Sequence, residues 1–204
     1  MASVYALKPR FQALIRPGVV RLAAAGVTAN QLTVGAMVIS LAASAGLIWS
    51  TPDTWAFVLL APLLLLRMAL NAADGMLARE HGQASALGHY LNEIGDVVSD
   101  IALIAPFAFL PVFEPIWVAA AAALSALTEF AGVLAQKAGG TRRYDGPMGK
   151  SDRAAALAGL GFWLASGLPL TGIEFAMPVL CILLLWTLVN RVRGGLRARP
   201  EAGR

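Results

Sequence analysis

Two stretches of this chain carry polar residues at spacings suited to holding a charged ligand. In the first, Arg67, Asn71, Asp74 and Ala78 fall at i, i+4, i+7 and i+11, which is one stripe along a helix. In the second, Gly88, Asn92, Asp96 and Asp100 recur every four residues and form a stripe of their own. A short connection from Gly82 to Ser85 makes the two helices antiparallel neighbours. Counted outward from position 83, Asp74 and Asn92 lie at equal depth, with Asn71 and Asp96 about one turn deeper. Facing oxygen ligands at two adjacent levels suit a hard cation such as Mg²⁺ or Mn²⁺. Gly75, Ala78 and Gly88 strip bulk from the same faces, which lets a ligand's phosphates approach backbone and metal. Plain helix–helix packing is the alternative use of such small residues.

The elements that must position these residues are membrane helices. The chain has 204 residues, 58% hydrophobic and 14% charged. A soluble domain carries about 25% charged residues. An all-α integral membrane fold of six transmembrane helices is expected, as one domain over 1–204. The spans lie at about 30–50, 54–79, 86–110, 115–136, 153–170 and 173–192, each near the length a bilayer requires. Pro169 and the Gly167–Gly172 region interrupt the fifth. Ahead of them, about 9–25 sets Phe11, Leu14, Ile15, Val19, Val20 and Leu22 among Arg10, Arg16 and Arg21. That mixture reads as an interfacial amphipathic helix. Met1 to Pro17 holds no long apolar core and is not read as a signal peptide. The lone Cys181 excludes a disulfide framework and is read as a packing residue.

Lys and Arg set the orientation. The connections after spans one, three and five hold Asp53, Glu114 and Glu174 but no base. Lys8, Arg10, Arg16, Arg21, Arg79, Lys137, Arg142, Arg143, Lys150, Arg153, Arg191, Arg193, Arg197, Arg199 and Arg204 all fall on the other side. By the positive-inside rule that side is cytoplasmic, which places both termini and the polar stripes there. Trp49, Trp55 and Trp117 anchor the opposite face. The net charge of +4 therefore meets anionic lipid headgroups, and nucleic acid is excluded as a partner. A multi-pass protein of a bacterial inner membrane is expected.

The stripes resemble the motif of the CDP-alcohol phosphotransferases (CDP-alcohol phosphatidyltransferases), D-x2-D-G-x2-A-R-x8-G-x3-D-x3-D. Here the residues are Asn71, Asp74, Gly75, Ala78, Arg79, Gly88, Asn92 and Asp96, with every spacing kept. Asn30 and Thr33 resemble a further Asn-x-x-Thr element of that family. The resemblance implies transfer of a phosphatidyl group from CDP-diacylglycerol to a small polar alcohol in phospholipid synthesis, with release of CMP. It implies a divalent metal cofactor, normally two cations, held by Asn71, Asp74, Asn92 and Asp96. Asp96 would be the catalytic base. Asp74, Gly75, Ala78, Arg79 and Gly88 would bind the nucleotide. A homodimer is the assembly it suggests. Asn in place of the first and third acid removes two negative charges and puts the number of metals in question.

Outside the motif, Glu129, Lys150 and Arg153 are candidates for holding the acceptor, with glycerol 3-phosphate the first guess. A helix-to-helix hydrogen bond is the plainer use of Glu129. Glu93 points off the stripe, behind the ligands. His81 and His89 show no ligand pattern. Arg67 and Asp100, deepest on the two stripes, are expected to pair, because a lone charge there costs about 2.5–3.5 kcal/mol. Three other functions fit the same residues: transfer from a soluble CDP-alcohol to diacylglycerol, a catalytically dead lipid-binding subunit, and a transporter. The last would place its polar groups on broken helices or inverted repeats.

Overall fold

The computed structural model describes residues 8–138 and 140–197. Arg199 and Arg204, counted among the cytoplasmic bases, lie outside them. The described chain is all helical, in the order α1 Lys8–Ala24, α2 Ala29–Ser50, α3 Leu60–Glu80, α4 Ala86–Ile104, α5 Pro115–Lys137, α6 Lys150–Ala165 and α7 Ala176–Arg197. Short 3₁₀ turns at Trp55–Leu59, Ala105–Phe109 and Ile173–Phe175 lead into α3, extend α4 and lead into α7.

Local chemistry sets the ends. α2 begins in a capping box: Gln31 N–H donates to Thr28 Oγ1 at 3.2 Å, and Thr28 N–H donates to Gln31 Oε1 at 2.9 Å. Ser85 Oγ accepts from Gly88 N–H at 3.0 Å and starts α4. Gly82, at φ 68°, makes the left-handed turn between α3 and α4. α6 stops at Ala165, earlier than the expected 170, because Gly167 adopts φ 71° and Pro169 cannot continue a helix. α7 regains that length at its other end, running to Arg197 instead of 192.

Four helical stretches are long and apolar enough to cross a membrane: Ala29–Ser50, Trp55–Glu80, Pro115–Lys137 and Ile173–Arg197. The two other expected spans fall short of that measure for visible reasons. α4 carries Asn92, Glu93, Asp96 and Asp100 within 19 residues. α6 has 16 residues and opens on Lys150, Asp152 and Arg153. Asp96, Asp100 and Arg153 turn inward, so length and composition understate how apolar the outer faces of α4 and α6 are.

α2 packs against α3 and α4, α6 against α3, and α5 against α4 and α7. The end away from the polar stripes is closed by an aromatic cluster. Phe107 meets Phe57 and Phe113 edge to face, at centroid distances of 5.2 and 5.7 Å. Outward side chains such as Phe130, Ile182 and Trp186 are large, apolar and exposed. α1 lies on α3. Its Val19 is buried with Ala73, Met76 and Leu77, Arg16 pairs with Glu80, and Leu14 and Val20 stay exposed.

Candidate active site

The tight α3–α4 connection turns the two stripes toward each other. Asn71 Nδ2 donates to Asp96 Oδ1 at 2.9 Å, so these residues share a level. One turn deeper, Arg67 Nη1 donates to Asp100 Oδ1 at 2.6 Å. At the outer level Asp74 is 5% exposed, and its Oδ2 accepts from Thr33 Oγ1 at 2.7 Å. It lies close enough to feel the charges of Asp96 and Lys150. Asn92 is half-buried, one turn before Asp96 on α4.

α2 forms a third wall. Gln83, in the α3–α4 turn, accepts from Ala29 N–H at 2.7 Å and donates to Val27 O at 3.4 Å, tying that turn to the start of α2. Asn30 is thereby brought against α4: a Cβ on Gly88 would lie 2.7 Å from Asn30 Oδ1. Gly88 thus makes room for Asn30. Gly75 does the same for Arg79, whose guanidinium folds back to within 3.0 Å of where a Cβ would stand. Arg79 is otherwise exposed, at the end of α3, with its forked donors free for an anion. Ala78 is half-buried on the same stripe.

Behind these residues lies a charged layer that spacing alone does not reveal. Asp100 accepts from Arg67 and, through its second oxygen, from Arg153. Arg153 Nη2 also donates to Glu129 Oε1 at 2.8 Å. Glu129 in turn meets Arg142 at 3.1 Å and Arg191 at 3.3 Å, and Arg142 pairs with Glu93. Two of the residues expected to hold the acceptor are engaged by other side chains here. Arg153 is 2% exposed and committed to carboxylates, and Glu129 is 5% exposed and held by three guanidiniums. Neither presents a free group to an acceptor; both brace α4, α5 and α6. The Arg67–Asp100 pair is present but not isolated, because Arg153 shares Asp100. Arg191, read as a base at the cytoplasmic surface, is 1% exposed and donates to Thr128 O at 2.5 Å. Arg142 had no role from sequence, since its partners are 13 and 49 positions away. Its guanidinium is pushed below its usual value by burial, aided by Arg191 and opposed by Tyr144. His81 and His89 are exposed at the turn.

Lys150, at the start of α6, reaches Asp96 and places its ammonium on Oδ1. The carboxylates of Asp74 and Asp96 and the amide oxygens available at Asn71 and Asn92 form a donor set that fits a hard divalent cation. It carries two fewer negative charges than four carboxylates would. Among the described residues no three His, Cys, Asp or Glu side chains form a metal-binding group.

Residues 26–189 match the family model for CDP-alcohol phosphatidyltransferase. The chain belongs to the CDP-alcohol phosphatidyltransferase family. Among curated proteins this family member is 44% identical over 203 residues to the inner membrane protein YnbA of Escherichia coli strain K12. That match covers 98% of the chain and 99% of the relative. Its fold is shared with the phosphatidylinositol phosphate synthase PgsA1 of Mycobacterium tuberculosis. The PgsA1 structure with manganese and citrate matches at TM-score 0.74 and 21% identity, covering 92% of this chain and 91% of that one. The structure with CDP-DAG bound matches at TM-score 0.74 and 22% identity, covering 92% and 96%.

Proposed function

We propose that this family member transfers the phosphatidyl group of CDP-diacylglycerol to a small polar alcohol, with release of CMP. The observation that carries the reading is the convergence of Asp74, Asp96, Asn71 and Arg79 on one face between α3 and α4, within a family fold. Asn71, Asp74, Asn92 and Asp96 would hold Mg²⁺ or Mn²⁺, which would supply charge to neutralise the pyrophosphate and stabilise departing CMP. Manganese in one PgsA1 structure and CDP-DAG in the other support the metal and the donor. Arg79 grips a donor phosphate over Gly75, Ala78 leaves space beside it, and Gly88 admits Asn30 to the nucleotide side. Asp96 accepts the hydroxyl proton as the alcohol oxygen attacks the lipid-bearing phosphorus and the bond to CMP breaks. No covalent enzyme intermediate is needed.

Glycerol 3-phosphate is the first acceptor to test, because Lys150 and Arg79 bring positive charge to the site. α2 to α7 are the six spans and α1 lies in the interface, with both termini and the site on the cytoplasmic side. A bacterial inner membrane location is supported by the name of the Escherichia coli relative. Membrane lipids surround the helices, and the assembly expected is a homodimer.

The test incubates purified protein with labelled CDP-diacylglycerol, Mn²⁺ and a panel of alcohols, scored for CMP. Asp96→Asn is expected to lower kcat by about 10²–10⁴-fold, the usual contribution of a general base, while CDP-diacylglycerol binding persists. Normal CMP release by folded Asp96→Asn protein removes Asp96 from that role. CMP release from soluble CDP-alcohols with diacylglycerol, and none from CDP-diacylglycerol, reverses donor and acceptor.

A further inference from the structure

We propose that the Lys150 ammonium supplies the positive charge at the Asn71–Asp96 level, so that the site holds one divalent cation, at the Asp74–Asn92 level. This rests on the reading of the stripes as a cation site and narrows the two cations that the family resemblance implies. Three donors already converge on Asp96 Oδ1: the Lys150 ammonium, Asn71 Nδ2 at 2.9 Å and Arg67 Nη2 at 3.5 Å. A carboxylate oxygen offers about two lone-pair positions. That oxygen is therefore saturated by the protein's own groups. Lys150 remains 30% exposed and stands at the start of α6 rather than on either stripe, so it reaches the carboxylate from a third helix.

The amide at position 71 points the same way. Two carboxylates at 71 and 96, at hydrogen-bonding distance, would repel and need a cation between them. Asn71 instead donates to Asp96, which removes the repulsion and withdraws a charged ligand. At the outer level, by contrast, no cationic side chain among the described residues is bonded to Asp74, whose partner is the neutral Thr33 hydroxyl.

Mn²⁺ alone is the probe, titrated into purified protein and followed by electron paramagnetic resonance. That measurement counts bound ions and detects exchange coupling between neighbours without reference to activity. Wild-type protein is expected to bind one uncoupled Mn²⁺ per chain, and Lys150→Arg, which keeps the charge, to do the same. Lys150→Met combined with Asn71→Asp is expected to bind two coupled ions. Two coupled ions on wild-type protein overturn the inference while leaving the cation site standing. A folded double variant that still binds one ion also overturns it. No Mn²⁺ on any variant removes the cation site and the inference together.

Discussion

Asp100 receives two guanidiniums, from α3 and α6, so its loss is felt by both. Neutralising it leaves Arg67 with only its longer contact to the Asp96 carboxylate, at 3.5 Å, and leaves Arg153 with Glu129 alone. Neutralising Arg67 still leaves Asp100 a full partner in Arg153. Asp100→Asn is therefore expected to destabilise the protein by about 3–5 kcal/mol, the cost of leaving buried charge uncompensated. Arg67→Met should cost less. Thermal unfolding of both variants in one detergent checks the order, and an Arg67→Met protein as unstable as Asp100→Asn would show that Arg153 does not hold Asp100. The pairing of 67 with 100 was legible in the sequence, because both residues sit on known helical stripes at matching depth. The share taken by Arg153 was not. Its side chain comes from a helix 53 positions on, and no periodicity relates the two.

Element geometry decides how closely the stripes and their supports approach. α6 crosses the turn Trp55–Leu59 so tightly that a Cβ on Gly161 would stand 2.4 Å from Phe57 O. Backbone cannot yield as a flexible side chain does, so Gly161→Ala is expected to cost about 1–3 kcal/mol through overpacking. A melting temperature unchanged from wild type would show that α6 shifts freely. Between α3 and α4, restoring the two acids has an electrostatic consequence. Asn71→Asp with Asn92→Asp adds two negative charges and should lower the Mn²⁺ concentration required for half-maximal binding. A double variant that needs more Mn²⁺ than wild type would mean the amides are the better ligands. The α3–α4 hairpin itself was readable from Gly82 and Ser85 and from the equal register of the stripes. The docking of α2 against it was foreshadowed only by Asn30 and Thr33. Their contacts with Gly88 and Asp74 depend on the angle at which α2 enters, which the Gln83 hydrogen bonds fix.

At the scale of the whole molecule, all six helices from α2 to α7 are expected to cross the bilayer, although only four helical stretches are apolar enough by composition. Single cysteines in a Cys181→Ser background test this. A membrane-impermeant maleimide should label Asp53→Cys and Thr171→Cys from outside the inner membrane. His81→Cys and Thr141→Cys should react only after that membrane is opened. Labelling of His81→Cys from outside would invert the topology and move the site to the other face. The sequence by itself determined the helical class, the approximate extent of the helices and the facing of the two stripes. Hydrophobic runs and helical periodicity are local properties, and a short turn carries them directly into three dimensions. It also grouped the loop bases at one end of the helices, the end that the positive-inside rule predicts to be cytoplasmic. Only the tertiary structure decided what those bases do once there. Arg142, Arg153 and Arg191 look like surface bases in the chain, yet they are drawn inward by Glu93, Asp100 and Glu129. The cause is that carboxylates enclosed among apolar helices must find partners, and the nearest cations in space come from segments far away in sequence.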